Sequence, residues 1–149
     1  MRKGFTAFNL LIALAIIAIL LNVALFWYFN YSGRQKVSAD LQRVYFFLNE
    51  IQAEAKRKGC SFTIVVDNHT VNATVDSGPC ADKSLYLPNA AFNSTTLKVN
   101  PFGVFTNRGS VVLDNATREE YNLVFDCITV SAFRICEGKV ENGSCVCKY

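Results

Sequence analysis

The sequence predicts an α+β fold in which one long N-terminal helix packs on an antiparallel β-sheet or β-sandwich domain. The first sign of this fold is residues 5–29, because 22 of these 25 positions are apolar. An amphipathic stretch follows over residues 32–59, and short β-type runs separated by turn residues fill the rest of the chain. Outside the apolar block the chain is about 44% apolar, which is ordinary for one globular domain.

The first element, residues 5–31, is expected to be a membrane-spanning helix. It contains no charged residue. At about 1.5 Å per residue it would reach roughly 40 Å, which exceeds the ~30 Å hydrocarbon core of a bilayer. A buried core helix is a poor alternative, because a small domain cannot cover an apolar helix on every face. A cleaved secretory signal peptide also fits poorly, since the run is too long and no small-x-small site follows it.

The end of this apolar block is rich in aromatic side chains, which prefer the membrane–water interface. They are Phe26, Trp27, Tyr28, Phe29 and Tyr31. The flanking charges leave the orientation open, because Arg2 and Lys3 before the block are matched by Arg34 and Lys36 after it.

The second element, residues 32–59, is predicted to continue as an amphipathic helix. Its apolar residues recur at spacings of 4, 3, 4, 3 and 4, at Val37, Leu41, Val44, Leu48, Ile51 and Ala55. The charged residues, Asp40 and Glu54 among them, are expected largely off this stripe. Basic residues 56–58 suit the negative end of a helix dipole, and Gly59 is typical just beyond a helix. If both elements join, one helix of 54 residues is on the order of 80 Å long.

The remainder of the chain, residues 60–149, is predicted to be β-rich. Runs of β-branched and aromatic residues alternate there with Asn, Asp, Gly and Pro. The predicted strands are Ser61–Val66, Thr70–Val75, Leu97–Val99, Gly103–Thr106, Ser110–Leu113, Tyr121–Phe125, Ile128–Ile135 and Ser144–Lys148. No second helix is predicted, so the strands should pair antiparallel, with the inner face of the sheet against the amphipathic helix.

Charge and composition argue against several function classes. Fifteen Lys and Arg against twelve Asp and Glu leave a net charge of +3, which is far from the basic signature of a nucleic-acid binder. Glycine-rich phosphate loops and paired-histidine motifs are missing from the sequence. The one histidine, His69, is two residues from Asp67 but has no arrangement of nucleophile, base and orienter around it. We therefore expect an exposed loop histidine, no enzyme, no metal site and no cofactor.

All six cysteines lie beyond the predicted helix, and an even number favours disulfides in an oxidising compartment. They are Cys60, Cys80, Cys127, Cys136, Cys145 and Cys147. We favour a bridge between Cys60 and Cys80, and two bridges among the other four. A metal site made from those four is the alternative, but the Cys-x-Cys at residues 145–147 lacks the two-residue spacing common in zinc sites.

Asn-x-Ser/Thr triplets occur more often than composition requires. They begin at Asn30, Asn68, Asn72, Asn93, Asn115 and Asn142. Random placement of the 13 Asn and 18 Ser plus Thr would give about 1.6 such triplets. The triplets are N-glycosylation acceptors on exported proteins, but polar turn sequences also contain them. The sequence leaves both explanations open.

The N-terminus resembles the class III signal of type IV pilins and type II secretion pseudopilins. A basic leader, Gly4-Phe5-Thr6 and the apolar run of residues 10–20 occur in the order that this family uses. The resemblance implies cleavage after Gly4 by a prepilin peptidase, N-methylation of Phe5 and retention of the apolar helix. It also implies a single-pass inner-membrane protein with a cytoplasmic N-terminus and its C-terminal domain outside.

The implied organisation has four parts. They are a leader peptide (residues 1–4), a transmembrane and polymerisation helix (5–31), the amphipathic half of the same helix (32–59) and a disulfide-stabilised β-rich domain (60–149). The implied partners are other pilin or pseudopilin subunits, the prepilin peptidase, the inner-membrane assembly platform, and membrane lipid before assembly. The implied final location is a pilus or pseudopilus in the periplasm or outside the cell.

Asn9 departs from the family pattern. Glu usually occupies this fifth mature position, where its carboxylate is thought to neutralise the amino terminus of a neighbouring subunit in an apolar filament core. Asn can accept a hydrogen bond there but cannot cancel the charge. A missing Glu is tolerated in the family chiefly in low-copy subunits, including the subunit at the filament tip. Asn9 therefore favours a minor pilin, and a tolerated polar substitution is the alternative.

The direct passage from a long helix into a β-domain resembles the H-type minor pseudopilins and the T- and U-type minor fimbrial pilins (GspH/FimT type). The stretches Phe102–Leu113 and Val130–Val140 are also similar to this group. Lys139 in place of the usual Arg, and extra residues between Ser131 and Gly138, depart from it.

Three alternatives remain open at this stage: a DNA-capturing pilin of natural transformation, the major pilin of a filament, and a membrane-anchored adaptor that does not polymerise. DNA is not favoured as a partner, because Arg134, Lys139 and Lys148 are nearly balanced by Glu137 and Glu141.

Overall fold

The computed structural model describes residues 7–148, and its first element is one long α-helix. This helix, α1, runs from Ala7 to Lys58. Ser32 and Gly33 lie inside it, so the predicted joining of the apolar and amphipathic stretches is confirmed. Gly59, at φ +70°, ends the helix. The chain divides into two compact units, one up to Gly33 and one from Arg34 onward, which are described separately below.

The second unit contains two four-stranded antiparallel sheets and one short helix. The elements after α1 are β1 (Ser61–Asn68), β2 (Thr70–Ser77), β3 (Lys83–Tyr86), β4 (Phe92–Val99), β5 (Gly109–Val112), α2 (Asn115–Tyr121), β6 (Cys127–Val130), β7 (Ile135–Glu141) and β8 (Ser144–Cys147). Sheet A has the strand order β3-β2-β1-β4, and sheet B has the order β5-β6-β7-β8. The predicted α+β class, with a long helix and antiparallel sheets, is confirmed.

The expectation that no second helix exists is wrong, because α2 forms after Asp114. The Asp114 carboxylate accepts a hydrogen bond from the Thr117 backbone N–H at 2.9 Å, which is the usual N-cap contact. Asp114 and Asn115, which follow a predicted strand, therefore begin a helix. Tyr121 is the last residue of α2, so the predicted strand Tyr121–Phe125 is also wrong.

Three further strand predictions differ from the structure. Residues 103–106 do not form a strand, because the Asn100 side chain folds the chain into a turn by accepting hydrogen bonds from the Phe102 and Val104 backbone N–H groups at 3.0 and 2.9 Å. Phe105 makes one isolated antiparallel bridge with Val99. The single predicted strand Ile128–Ile135 is divided into β6 and β7 by a turn. Strand β3 was not predicted, and β4 begins five residues earlier than expected.

The core of the second unit is built on the predicted stripe of α1. All six stripe residues are buried, and they belong to one hydrophobic cluster with inward-facing residues of both sheets. Those sheet residues include Phe62, Ile64 and Leu97 in sheet A and Val111 and Ile128 in sheet B. Each fully buried Val, Leu or Ile contributes about 1.5–3 kcal/mol, so the stripe is what holds this half of α1 on the sheets.

Candidate functional site: the exposed apolar half of α1

The apolar half of α1, residues 7–31, has its side chains exposed around the helix. Its large apolar residues are half or more exposed with few exceptions, from Phe8 at 69% to Trp27 at 72%. This is the one helix in the described part of the chain that is long and apolar enough to cross a membrane. Water-exposed apolar surface of this extent needs a cover of lipid or of other apolar helices.

The polar side chains of this half are few, and one is satisfied within the helix. Asn22 donates through its side-chain amide to the Ala18 carbonyl at 2.7 Å. Such a bond removes most of the cost of placing an amide in an apolar environment. Asn9, the predicted assembly residue, lies on α1 and is exposed. The predicted processing residues Gly4 and Phe5 lie outside the described residues.

The aromatic cluster at the end of this half is also exposed. Phe26, Trp27, Tyr28, Phe29 and Tyr31 are 64–72% exposed, and the Tyr28 and Phe29 rings meet edge to face at 5.9 Å. Amphipathic rings at one end of an apolar helix are typical of a membrane interface.

In the second unit, Glu54 of α1 is tied by ion pairs to the helix end and to β3. Its carboxylate lies 2.6 Å from the Lys58 ammonium and 2.5 Å from the Lys83 ammonium. The hydrogen bonds from Lys58 and Lys83 lower the pKa of Glu54 to about 2. Lys83 also contacts Glu50 at 2.7 Å, and the hydrogen bonds to Glu50 and Glu54 raise the pKa of Lys83. The expectation that Glu54 lies off the buried stripe is therefore wrong.

Asp40 is the second acidic residue of α1 that is buried contrary to expectation. Its carboxylate accepts hydrogen bonds from the Asn89 backbone N–H at 2.8 Å and from the Asn89 side chain at 3.2 Å. Arg43 neutralises it at 3.1 Å. Asp40 therefore anchors the loop before β4 to the first buried turns of α1.

The six cysteines form three disulfides. Cys60 pairs with Cys80, the pairing favoured from the sequence, and links the end of α1 to the loop after β2. The last four cysteines pair as Cys127–Cys145 and Cys136–Cys147. Both bridges join β8 to the rest of sheet B, and β8 is the C-terminal edge strand of that sheet. In the chain-entropy model each such bridge contributes about 3 kcal/mol.

Gly138 of β7 lies directly beneath the bridge between β6 and β8. Cys127 pairs in register with Gly138, and the bridge runs from Cys127 across β7 to Cys145. A Cβ atom at Gly138 would overlap the Val146 carbonyl oxygen and lie 3.2 Å from the Cys145 sulfur. The absence of a side chain at this position lets β8 approach the sheet closely enough for the disulfide.

Two of the three basic residues near the C-terminus, Lys139 and Lys148, are engaged within the domain, and Arg134 is exposed. The Lys139 ammonium donates to the Leu123 carbonyl at 2.7 Å, and Lys148 forms an ion pair with Glu141 at 2.8 Å. This ion pair lowers the pKa of Glu141. Arg118 contacts the buried carboxylate of Asp126 at 3.3 Å.

His69 is one of the residues whose role the sequence did not indicate. Rather than being simply exposed, it is half-buried, and its Nδ1 lies 2.8 Å from the Ala90 carbonyl and 3.1 Å from the Leu87 carbonyl. Because a carbonyl can only accept, Nδ1 carries the proton. His69 thus fastens the β1–β2 hairpin to the loop before β4. No spacing in the sequence pairs His69 with residues 87–90.

Comparison of the chain with protein-family models, with curated proteins and with solved structures finds no match.

Proposed function

We propose that this chain is a minor pilin or pseudopilin, a structural subunit of a type IV pilus or of a type II secretion pseudopilus. The observation that carries the proposal is the contrast within α1. Residues 7–31 expose apolar side chains around the helix, whereas the stripe from Val37 to Ala55 is buried in the chain's own domain. The first half of α1 needs lipid or other apolar helices to cover its side chains, whereas the apolar stripe of the second half is already covered by the sheets of its own domain.

In this proposal the apolar half has two successive environments. It lies in the inner membrane until assembly, with the N-terminus cytoplasmic and the β-domain outside. It then packs among the equivalent helices of other subunits after prepilin peptidase cleaves after Gly4 and Phe5 is methylated. The chain performs no chemical reaction; an assembly platform in the membrane extracts it, and the β-domain displays a surface on the filament.

The β-domain supports this role through its rigidity. Three disulfides, the buried stripe and the Glu54–Lys83 ion pair all fasten the domain to α1 or to itself. A subunit that is pulled from a bilayer and carried in a filament must not unfold when its helix is displaced. Short α2 departs from the all-β domain implied by the H-type and T-type resemblance.

The position at the filament tip is the finer part of the proposal, and it depends on Asn9. A tip subunit has no subunit above it whose amino terminus must be neutralised, so Asn is sufficient there. Replacing Asn9 by Glu supplies the missing carboxylate and should admit the chain to positions inside the filament.

Sheared filaments from the cells that encode the chain provide the test. We expect the chain in the filament fraction at a small fraction of the major subunit, and Asn9→Glu should raise that share severalfold. Gly4→Glu, which should block cleavage, is the variant expected to remain in the membrane fraction. Absence of the wild-type chain from the filaments would contradict assembly and support a membrane-anchored adaptor. A filament made mainly of this chain would contradict the minor assignment.

The DNA-capturing alternative has less support, because Lys139 and Lys148 already have partners within the domain. A pilin that binds DNA through phosphates needs several free cations on one surface.

A further inference from the structure

Two of the six Asn-x-Ser/Thr triplets begin inside β-strands, and a third begins at Asn68, the last residue of β1. Asn72 is in β2 and Asn93 is in β4. Asn is disfavoured in strands because its side chain competes for backbone hydrogen bonds. Both residues are exposed, and within the described residues 7–148 no hydrogen bond occupies either side-chain amide.

The other triplets in the second unit have a conformational explanation. Asn68 and Asn142 are the first turn residues of two hairpins, at φ 47° and 51°. A left-handed backbone of this kind favours Asn. Asn115 is the first residue of α2 and contacts Arg118 through its side chain at 3.4 Å. Asn72 and Asn93 are the two acceptor residues of the second unit that are left without a turn or helix explanation.

The strand geometry presents Asn72 together with its threonine on one face of β2. Residues i and i+2 of a strand point to the same face. Asn72 and Thr74 are accordingly both exposed, with Ala73 between them buried in the core. The Asn72 amide and the Thr74 hydroxyl are thus accessible from one side of the sheet. Asn93 is exposed at a β-bulge of β4, and Thr95 is partly exposed, with its hydroxyl donating to the Ser110 carbonyl at 3.3 Å.

Both sites lie on strands of sheet A that neighbour β1. Asn72 pairs in register with Val65 of β1, and Phe92, which precedes Asn93, pairs with Asn68 at the end of β1. Asn72 also pairs with Ser84 of β3, the edge strand. A bulky polar group at Asn72 would hinder pairing of that edge with another chain, which natural sheets must prevent.

We infer that Asn72 and Asn93 are N-glycosylated. In the reaction the side-chain amide nitrogen bonds to the anomeric carbon of a glycosyl diphosphate donor. The bond from that carbon to the diphosphate oxygen breaks, its electron pair leaves with the diphosphate, and the amide nitrogen loses one proton. The reaction involves no oxidation or reduction. The inference rests on the part of the proposed function that puts the β-domain outside the cytoplasm, where glycosylation acceptors are used.

Peptide mass mapping of the full chain, isolated from the cells that encode it, tests this inference. Trypsin releases residues 59–83 and 84–98 as separate peptides, and we expect a sugar mass increment on both. The first peptide contains both Asn68 and Asn72, so fragment ions must locate the increment. Asn72→Gln and Asn93→Gln should each remove one increment.

Threonine variants provide matched controls. Thr74→Ser and Thr95→Ser keep the hydroxyl of the triplet and should keep the sugar, whereas Thr74→Ala and Thr95→Ala should lose it with the asparagine intact. Unmodified Asn72 and Asn93 would overturn the inference, as would an increment that persists in the glutamine variants. The same peptide map also determines the N-terminus of the chain. A processed, methylated Phe5 together with unmodified Asn72 and Asn93 would overturn the glycosylation inference alone. An unprocessed N-terminus with glycosylated asparagines overturns the pilin assignment alone.

Discussion

At the scale of single residues, Glu54 shows how burial changes the contribution of an ion pair to the free energy of unfolding. Glu50 and Glu54 both contact Lys83, but the Glu50 side chain is 60% exposed and the Glu54 side chain is 8% exposed. Water screens an exposed pair, so Glu50 contributes less than about 1 kcal/mol. Removing the buried Glu54 carboxylate takes that partner from Lys58 and leaves Lys83 with the exposed Glu50 alone, so it costs several times more.

Glu54→Gln should therefore lower the free energy of unfolding by about 2 kcal/mol or more at neutral pH, and Glu50→Gln should lower it by less than about 1 kcal/mol. The pKa of Glu54 is depressed in the folded state, to about 2. Its contribution is thus complete above the unfolded pKa near 4.5 and is lost as the pH falls toward 2. Denaturant unfolding of the full chain in detergent, repeated between pH 5 and pH 2, measures how the free energy of unfolding depends on pH. If Glu54→Gln shows the same pH dependence as the wild type, the assigned contribution of Glu54 is contradicted.

Gly138 leaves no room for a side chain beneath β8. An alanine Cβ would lie 2.8 Å from the Val146 carbonyl carbon, which is backbone and cannot move aside without shifting β8. Gly138→Ala should cost about 3 kcal/mol or more. Gly143→Ala has a strained φ of +79° but open space around the new methyl group, so it should cost only about 1 kcal/mol. Thermal unfolding under non-reducing conditions compares the stability of the two variants. Equal losses of stability would show that the close approach of β8 to Gly138 does not contribute to the stability of the domain.

At the scale of elements, α1 was the most predictable part of the molecule. The spacing from Val37 to Ala55 repeats with the period of a helix, and every residue of that stripe is buried. The strands β1 and β2 were predictable too, because apolar and polar residues alternate along them. The local sequence pattern was sufficient to predict an element wherever one face of that element is buried and the other is exposed to solvent.

Other elements depend on contacts that are distant in sequence. Strand β3 is recognisable only through its pairing with β2, and α2 depends on one capping contact at Asp114. The burial of Asp40 follows from hydrogen bonds to Asn89, 49 residues away. The Cys60–Cys80 pairing could be anticipated, but the last two pairings could not, because four cysteines on neighbouring strands allow three arrangements.

Leu48 tests whether the stripe holds α1 on the sheets. It is fully buried in the core, whereas Phe46, two residues earlier in the same helix, is 65% exposed. Leu48→Ala should lower the free energy of unfolding by about 2–5 kcal/mol, and Phe46→Ala by less than about 1 kcal/mol. Denaturant unfolding in detergent gives both values. Similar losses for the two variants would show that this half of α1 is not packed as described.

At the scale of the whole molecule, the two units differ in whether their apolar surfaces are covered. The second unit covers its own apolar core and closes it with three disulfides. The apolar half of α1 has no cover from the described part of the chain. A signal peptide would be discarded, and a simple anchor would stay in the membrane. A pilin-type subunit would instead keep this helix and exchange lipid for other helices.

The N-terminal residue of the mature chain distinguishes these possibilities. Mass spectrometry of the full protein, isolated from the cells that encode it, identifies that residue directly. We predict a mature chain that begins at N-methylated Phe5, with residues 1–4 removed and the whole apolar helix retained. A mature chain that keeps Met1, or one that begins beyond residue 31, would contradict the assignment as a pilin or pseudopilin subunit.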